Sequence, residues 1–421
     1  MFDTKTRVIQ LTLLAIFAVG APTACLGQAT GEWSQFLGPN RNGVAASVEL
    51  PNQLPPNGPT RLWSAAIGTG MSGIAVSGGS VYTLDQDENG QYAVALSLAN
   101  GKEVWRQRIA AAYKNSQGDG PRSTPTVSGN QVLVFTGQGE LVSLDAKIGK
   151  PLWQTDVVAQ LGGTVSDYGM SCSPLVVGEV VVVHAGAPDA AVVGVSLDQG
   201  SIMWKTGSGP AGYSSPCLFQ IGRQSQVVAL IGNQVLGIDP TSGDRLWSYE
   251  FATDYNCNTA NPVQVGDGVL ISAGEDHGSA MLRISKGNSD FQVKPIWESF
   301  GVKSCLRSEW QTPIVIDGVI FGFDNVGGAG PVTHLVAVDA TSGKQLWRES
   351  RFGKSNAILA DGKLLMSSMT GDLVLGSVNR AGYTELGRAN VAGKTRQAPV
   401  LVGTQVLLRD DQSILCLDLS K

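Results

Sequence analysis

Cationic and aromatic residues recur at one place in a repeated sequence frame. Three positions before a proline, or before the residue that takes its place, stand Arg122, Ser171, Tyr213, Thr259, Trp310, Lys354 and Arg396, with Glu309 beside Trp310. If the frame sets these positions on one rim, Arg122, Lys354 and Arg396 supply charge-assisted hydrogen bonds. Tyr213 and Trp310 supply flat faces, and together the set suits a planar anionic ligand. The alternative is a hydrated funnel lined by unrelated side chains. No residue is assigned a catalytic role.

The other reactive side chains offer less. "DQDENG", Asp85 to Gly90, matches the first half of a calcium loop, but its twelfth position is Leu96 and the bidentate glutamate is missing. Asn89-Gly90 between two apolar runs reads better as a hairpin turn. Of the three histidines, His184, His277 and His334, only His277 has carboxylates beside it, in "GEDHG" from Glu275. That cluster allows acid/base chemistry; a solvated turn is the alternative. No GxSxG elbow, HExxH helix or phosphate-cradling loop is present. No Cys/His spacing suggests a metal site.

The elements that must position the rim follow from two recurring stretches. "DATSGKQLW" at 339–347 has near-copies in "DPTSGDRLW" at 239–247, "DAKIGKPLW" at 145–153, "SLDQGSIMW" at 196–204 and "SLANGKEVW" at 97–105. Each follows an apolar run and leads into a strand carrying tryptophan, which predicts a hairpin. Gly149, Gly200, Gly243 and Gly343 fall where the loop requires positive φ. Asp145, Asp239 and Asp339 are placed to accept hydrogen bonds from the turn's own amides. Between the tryptophans comes the second stretch: "RSTPTVSGNQVLV", "SCSPLVVGEVVVV", "YSSPCLFQIG", "TANPVQVGDGVLI", "WQTPIVIDGVIFG" and "RQAPVLVGTQVLL". A proline opening a strand is acceptable where no ladder hydrogen bond is donated.

The outer-strand positions Trp63, Trp105, Trp153, Trp204, Trp247, Trp297 and Trp347, with Leu386 as a degenerate eighth, recur at intervals of roughly 40 to 50 residues. Strand-built repeats of that length predict an all-β, eight-bladed β-propeller with four-stranded antiparallel blades. The run around Trp63 lacks partner strands and the C-terminal run from Ala398 lacks a fourth. Pairing the two closes the ring and removes its exposed edges. Residues 59–421 are thus expected to form one propeller, preceded by a leader over 30–58.

Residues 1–29 read as an export signal: Lys5 and Arg7, an apolar stretch from Val8 to Ala21, then small residues ending in Gly27-Gln28-Ala29. The expected location is periplasmic or extracellular. Cys25 is a weak candidate for lipid attachment, because Pro22 stands where an aliphatic residue belongs. No other segment is apolar enough to cross a membrane as a helix. Cleavage would leave five cysteines, of which Cys257 and Cys305, in long connections of successive repeats, are the pair to test for a bridge. The net charge of -5 carries no footprint for nucleic acid.

The repeated Asp/Gly/Trp frame resembles the pyrroloquinoline quinone (PQQ)-type propeller repeat of quinoprotein dehydrogenases and BamB-type outer-membrane assembly proteins. The leader "WSQFLGPNRNG" with "GDGPRSTP", "YGMSCSP" and "AGYSSP" is similar to secreted bacterial PQQ-binding-like propellers. The resemblance runs from about Trp33 to the end and speaks for fold more than function. It implies PQQ with calcium if the chain is a dehydrogenase. Against that stand the absence of any Cys-Cys pair and a length nearly used up by eight plain blades. The favoured expectation is a monomeric module that binds a protein, a glycan or a small molecule at the channel mouth.

Overall fold

The computed structural model describes residues 32–45, 48–287, 290–328 and 332–420; residues 1–29, expected to be an export signal, and Cys25 lie outside them. Eight four-stranded antiparallel sheets form the predicted eight-bladed propeller. Blades I to VII span 75–110, 126–156, 175–206, 217–250, 263–300, 314–349 and 355–390 in chain order. Blade VIII takes three strands from the C-terminal part, Val400–Val402, Gln405–Arg409 and Ser413–Asp418, and its outermost strand, Thr60–Ala66, from the N-terminal part. Thr60 faces Asp418, Trp63 faces Cys416 and Ala66 faces Ser413. The one α-turn among the described residues is Val157–Gln160.

The middle strands of the blades are largely buried on both faces, and in blade III they are valine-rich runs, Val180–Ala187 and Ala190–Ser196. They pack blade on blade: Val228, Leu230 and Val235 of blade IV meet Val269, Ile271 and Leu282 of blade V.

The recurring turn clasps neighbouring blades. In blade II, Asp145 Oδ1 accepts hydrogen bonds from the Lys147 and Ile148 amides at 2.9 and 3.1 Å, and Gly149 takes φ 70°. The indole of the preceding blade lies flat on that glycine. A Cβ at Gly101, Gly149, Gly200, Gly243 or Gly343 would stand 2.5 to 2.7 Å from the ring of Trp63, Trp105, Trp153, Trp204 or Trp297 respectively. The same indoles donate Nε1–H to the carbonyls of Leu98, Ala146, Leu197, Pro240 and Ala340. Glycine is needed there twice over, for its φ and for the room.

Three seams depart from the pattern: between blades VI and VII Trp347 still donates to the Asn379 carbonyl at 2.9 Å but no turn glycine lies under its ring, and the other two have a visible reason. Blade V closes with a long hairpin, Gly278–Lys286 with Phe291–Phe300, lacking the Asp-x-x-x-Gly turn. Trp247 therefore donates to Gln226 Oε1 of its own blade, at 2.7 Å. Beyond Leu386 the next blade is the one sealed by two distant chain segments, so no turn arrives to meet an indole. Leu54 of the leader fills the space, its amide bonded to the Leu386 carbonyl and its Cβ 2.8 Å from where a Cβ on Gly387 would stand. Leu386→Trp should accordingly overpack this site and lower stability by roughly 1 to 3 kcal/mol, measured by urea denaturation.

Candidate functional site

The connections entering each inner strand converge around the channel, held by a belt of hydrogen bonds at the residue before each proline. The Thr124 amide donates to Ser173 Oγ (2.9 Å), Ser173 to Ser215 Oγ (2.9 Å), Ser215 to Asn261 Oδ1 (2.8 Å) and Asn261 to Thr312 Oγ1 (3.1 Å). Two residues upstream of the belt, Arg122, Ser171, Tyr213, Thr259, Trp310, Lys354 and Arg396 line a single cavity of about 510 Å3, together with Glu309. All eight rim residues singled out by the sequence are thus brought together. The same cavity includes Tyr168, Tyr255 and Glu275.

On the far side of the prolines the leader crosses the channel. Trp33 bridges to Val76 of blade I, the Val127 amide of blade II donates to the Ser34 carbonyl, and Val44 bridges to Leu359 of blade VII. Between these anchors Arg41, 3% exposed, donates to the carbonyls of Ser173 and Pro216 at 3.0 Å each and to the Pro174 carbonyl. Burial lowers its pKa to about 10, against the opposing influence of the Cys217 and Cys172 thiols. The mouth is therefore a cup with a floor.

The rim cations are largely committed to the protein itself, which corrects the picture of three charges awaiting an anion. Arg122 donates to the Gly118 carbonyl at 2.7 Å and to the Gly120 carbonyl, and its guanidinium lies 4.8 Å from the Tyr113 ring centre. Burial lowers its pKa, and nearby Arg396 adds to the effect. Lys354 Nζ stands 3.0 Å from Glu309 Oε1. Burial raises the Glu309 pKa; Lys354 opposes this and Glu275 reinforces it. Tyr168 and Tyr213 stack with centroids 5.6 Å apart, and burial pushes the Tyr213 hydroxyl upward.

The remaining candidates fall apart in space. In "GEDHG", Glu275 lines the mouth, Asp276 pairs with Arg307 at 3.3 Å, and His277 turns away to the rings of Phe251 and Phe300, at 4.6 and 5.4 Å. No acid/base cluster forms. Asp85 is buried and paired with Arg106 at 2.7 Å, while Asp87 Oδ1 accepts from the Asn89 amide at 2.8 Å, so the calcium-like stretch is a hairpin. His334 Nδ1 accepts from the Arg351 amide at 2.9 Å. The Cys257–Cys305 bridge is not formed: both thiols are free. Cys257 lines the mouth, whereas Cys305 packs against the core shared by blades V and VI.

Tyr168 and Tyr255 escaped the sequence reading because they lie outside the proline frame, in the long connections. Arg41 escaped because nothing local distinguishes a channel plug from a surface loop. Among the described residues no three His, Cys, Asp or Glu side chains stand together for a metal, and Glu309 is already ion-paired.

Known proteins place the fold. The family model described as outer membrane protein assembly factor BamB matches residues 89–329. BamB of Yersinia pestis is 22% identical over 297 residues, covering 69% of this chain and 72% of that protein. Quinoprotein ethanol dehydrogenase of Pseudomonas putida is 24% identical over 62% of this chain, which spans only 45% of it. The crystal structure of quinohemoprotein alcohol dehydrogenase from Comamonas testosteroni superposes with a TM-score of 0.68 at 12% identity, covering 93% of this chain and 81% of that one. With a family model matched over more than half its length and the clasped eight-bladed ring that such repeats build, this chain belongs to the BamB-type PQQ-like repeat propellers.

Proposed function

We propose that this chain is an exported binding module that holds its ligand in the channel-mouth cup. One observation carries the reading: side chains from seven successive blades converge on a single floored cavity of about 510 Å3, a size in the usual range of ligand pockets. The likeness to proteins named as assembly factors, rather than only to dehydrogenases, supports the same reading. A rigid ring presenting loops at one mouth suits capture, because the scaffold is ordered before the ligand arrives and little entropy is lost on binding.

The experiment sets the module against the quinoprotein alternative. A ligand at one hundred times its Kd stabilises its host by about 2.7 kcal/mol. Saturating PQQ with calcium should leave the melting temperature unchanged within about 1 °C and give no dye-linked oxidation of ethanol. A clear shift with turnover would replace the binding module by a dehydrogenase. In parallel, components retained from envelope extracts should be lost when the loops carrying Tyr255 and Trp310 are exchanged.

A further inference from the structure

Lys354 and Glu309 are paired across the cup and Arg122 is held by carbonyls of its own loop, while several shielded polar atoms, Arg396 Nε among them, have no hydrogen-bond partner. Glu309 is only 9% exposed, and while Oε1 faces Lys354, Oε2 has no hydrogen-bond partner. On the neighbouring blade Thr259 Oγ1 is also shielded and unpartnered. A buried carboxylate oxygen left without a donor is costly, and a ligand that brings one would relieve that cost.

The neighbours decide what kind of donor fits. An anionic group reaching Oε2 would meet the Glu309 carboxylate, with Glu275 close enough to raise its pKa. A cationic group would meet the Lys354 ammonium, 3.0 Å from the other oxygen, with Arg396 also lying against the Trp310 ring at 6.0 Å. A neutral hydroxyl meets neither repulsion. Around it stand flat, partly open rings: Trp310 is 39% exposed and Tyr255 68%, the latter on a backbone held at φ 56°, with the Tyr168–Tyr213 stack beside them. The electron-rich faces of such rings attract weakly positive C–H edges. Neutral hydroxyls and apolar C–H faces occur together in the sugar ring.

We infer that the cup binds a neutral oligosaccharide, with one pyranose ring against Trp310 and a hydroxyl donating to Glu309 Oε2. This rests on the binding-module reading above and names its ligand class.

The test uses the full chain and titration calorimetry with four neutral probes: maltohexaose, cellohexaose, laminarihexaose and chitohexaose. Polygalacturonate is the anionic comparator and glucosamine hexaose the cationic one. At least one neutral hexasaccharide should bind with Kd below about 1 mM. Trp310→Ala should weaken it at least about tenfold, and so should Tyr255→Ala, whose exposed side chain can be removed without disturbing the fold. Binding by none of the four, binding only of a charged comparator, or indifference of both variants would overturn the inference. Should glycans fail while an envelope component is still retained and lost on rim exchange, the module stands and its ligand is of another class. Failure of both would remove the module as well.

Discussion

Replacing Trp204 with alanine should lower stability by about 3 to 5 kcal/mol, the range for emptying a large buried aromatic site. The indole is 7% exposed, lies against Gly243 of the next blade and donates to the Pro240 carbonyl at 3.1 Å. Alanine removes the wedge, leaves a cavity at the seam and strands that carbonyl. Trp204→Phe keeps most of the ring and loses only the N–H, so it should cost about 1 kcal/mol from the hydrogen bond together with a small packing loss. Guanidinium denaturation of the two variants separates the contributions. A loss under about 1 kcal/mol for the alanine variant would mean that the indole is not a wedge.

Acidification should destabilise the protein through His184. This imidazole is 1% exposed among the valines of blade III, and burial lowers its pKa to about 4, a backbone contact at Ala211 opposing this only in part. The unfolded chain takes up the proton near pH 6.5 and the folded chain does not, so between those values the unfolded state holds more protons. The neutral ring's contribution to stability is complete above about pH 6.5 and is lost as pH falls toward 4, by an amount on the order of 3 kcal/mol. His184→Leu should flatten that part of the stability-versus-pH curve. An unchanged slope between pH 6.5 and 4 would show that the imidazole does not titrate with unfolding.

The ring could be read from sequence because its causes are local. Gly149 and Gly243 advertise turn conformations, Asp145 and Asp339 bond to amides two and three residues ahead, and the tryptophans mark the period. The rim was legible because the proline frame repeats with the blades, so residues at equal offsets share one end of the channel. What the rim side chains do with their charges was not. Arg122 turns to the carbonyls of its own loop and Lys354 is held by Glu309 from an adjacent blade, and these choices are settled only after the blades assemble. The same holds for Arg41, whose carbonyl partners lie more than a hundred residues away. The exception at Leu386 was visible as a missing tryptophan, but its reason, Leu54 occupying the place of a turn, needed the closed ring.

Because Thr60–Ala66 belongs to the same sheet as Ser413–Asp418, the earliest made of the described strands waits for the last. Until synthesis reaches that point, both blade faces at the gap stay wet and the waiting strand offers an open hydrogen-bonding edge. Joining ends so distant carries a loop-closure cost, recovered only when the whole sheet zips at once. A polypeptide cut short by a few dozen residues would thus leave a gapped ring, open to proteases and to adhesion between copies. The zip makes completeness of the chain a condition for durability.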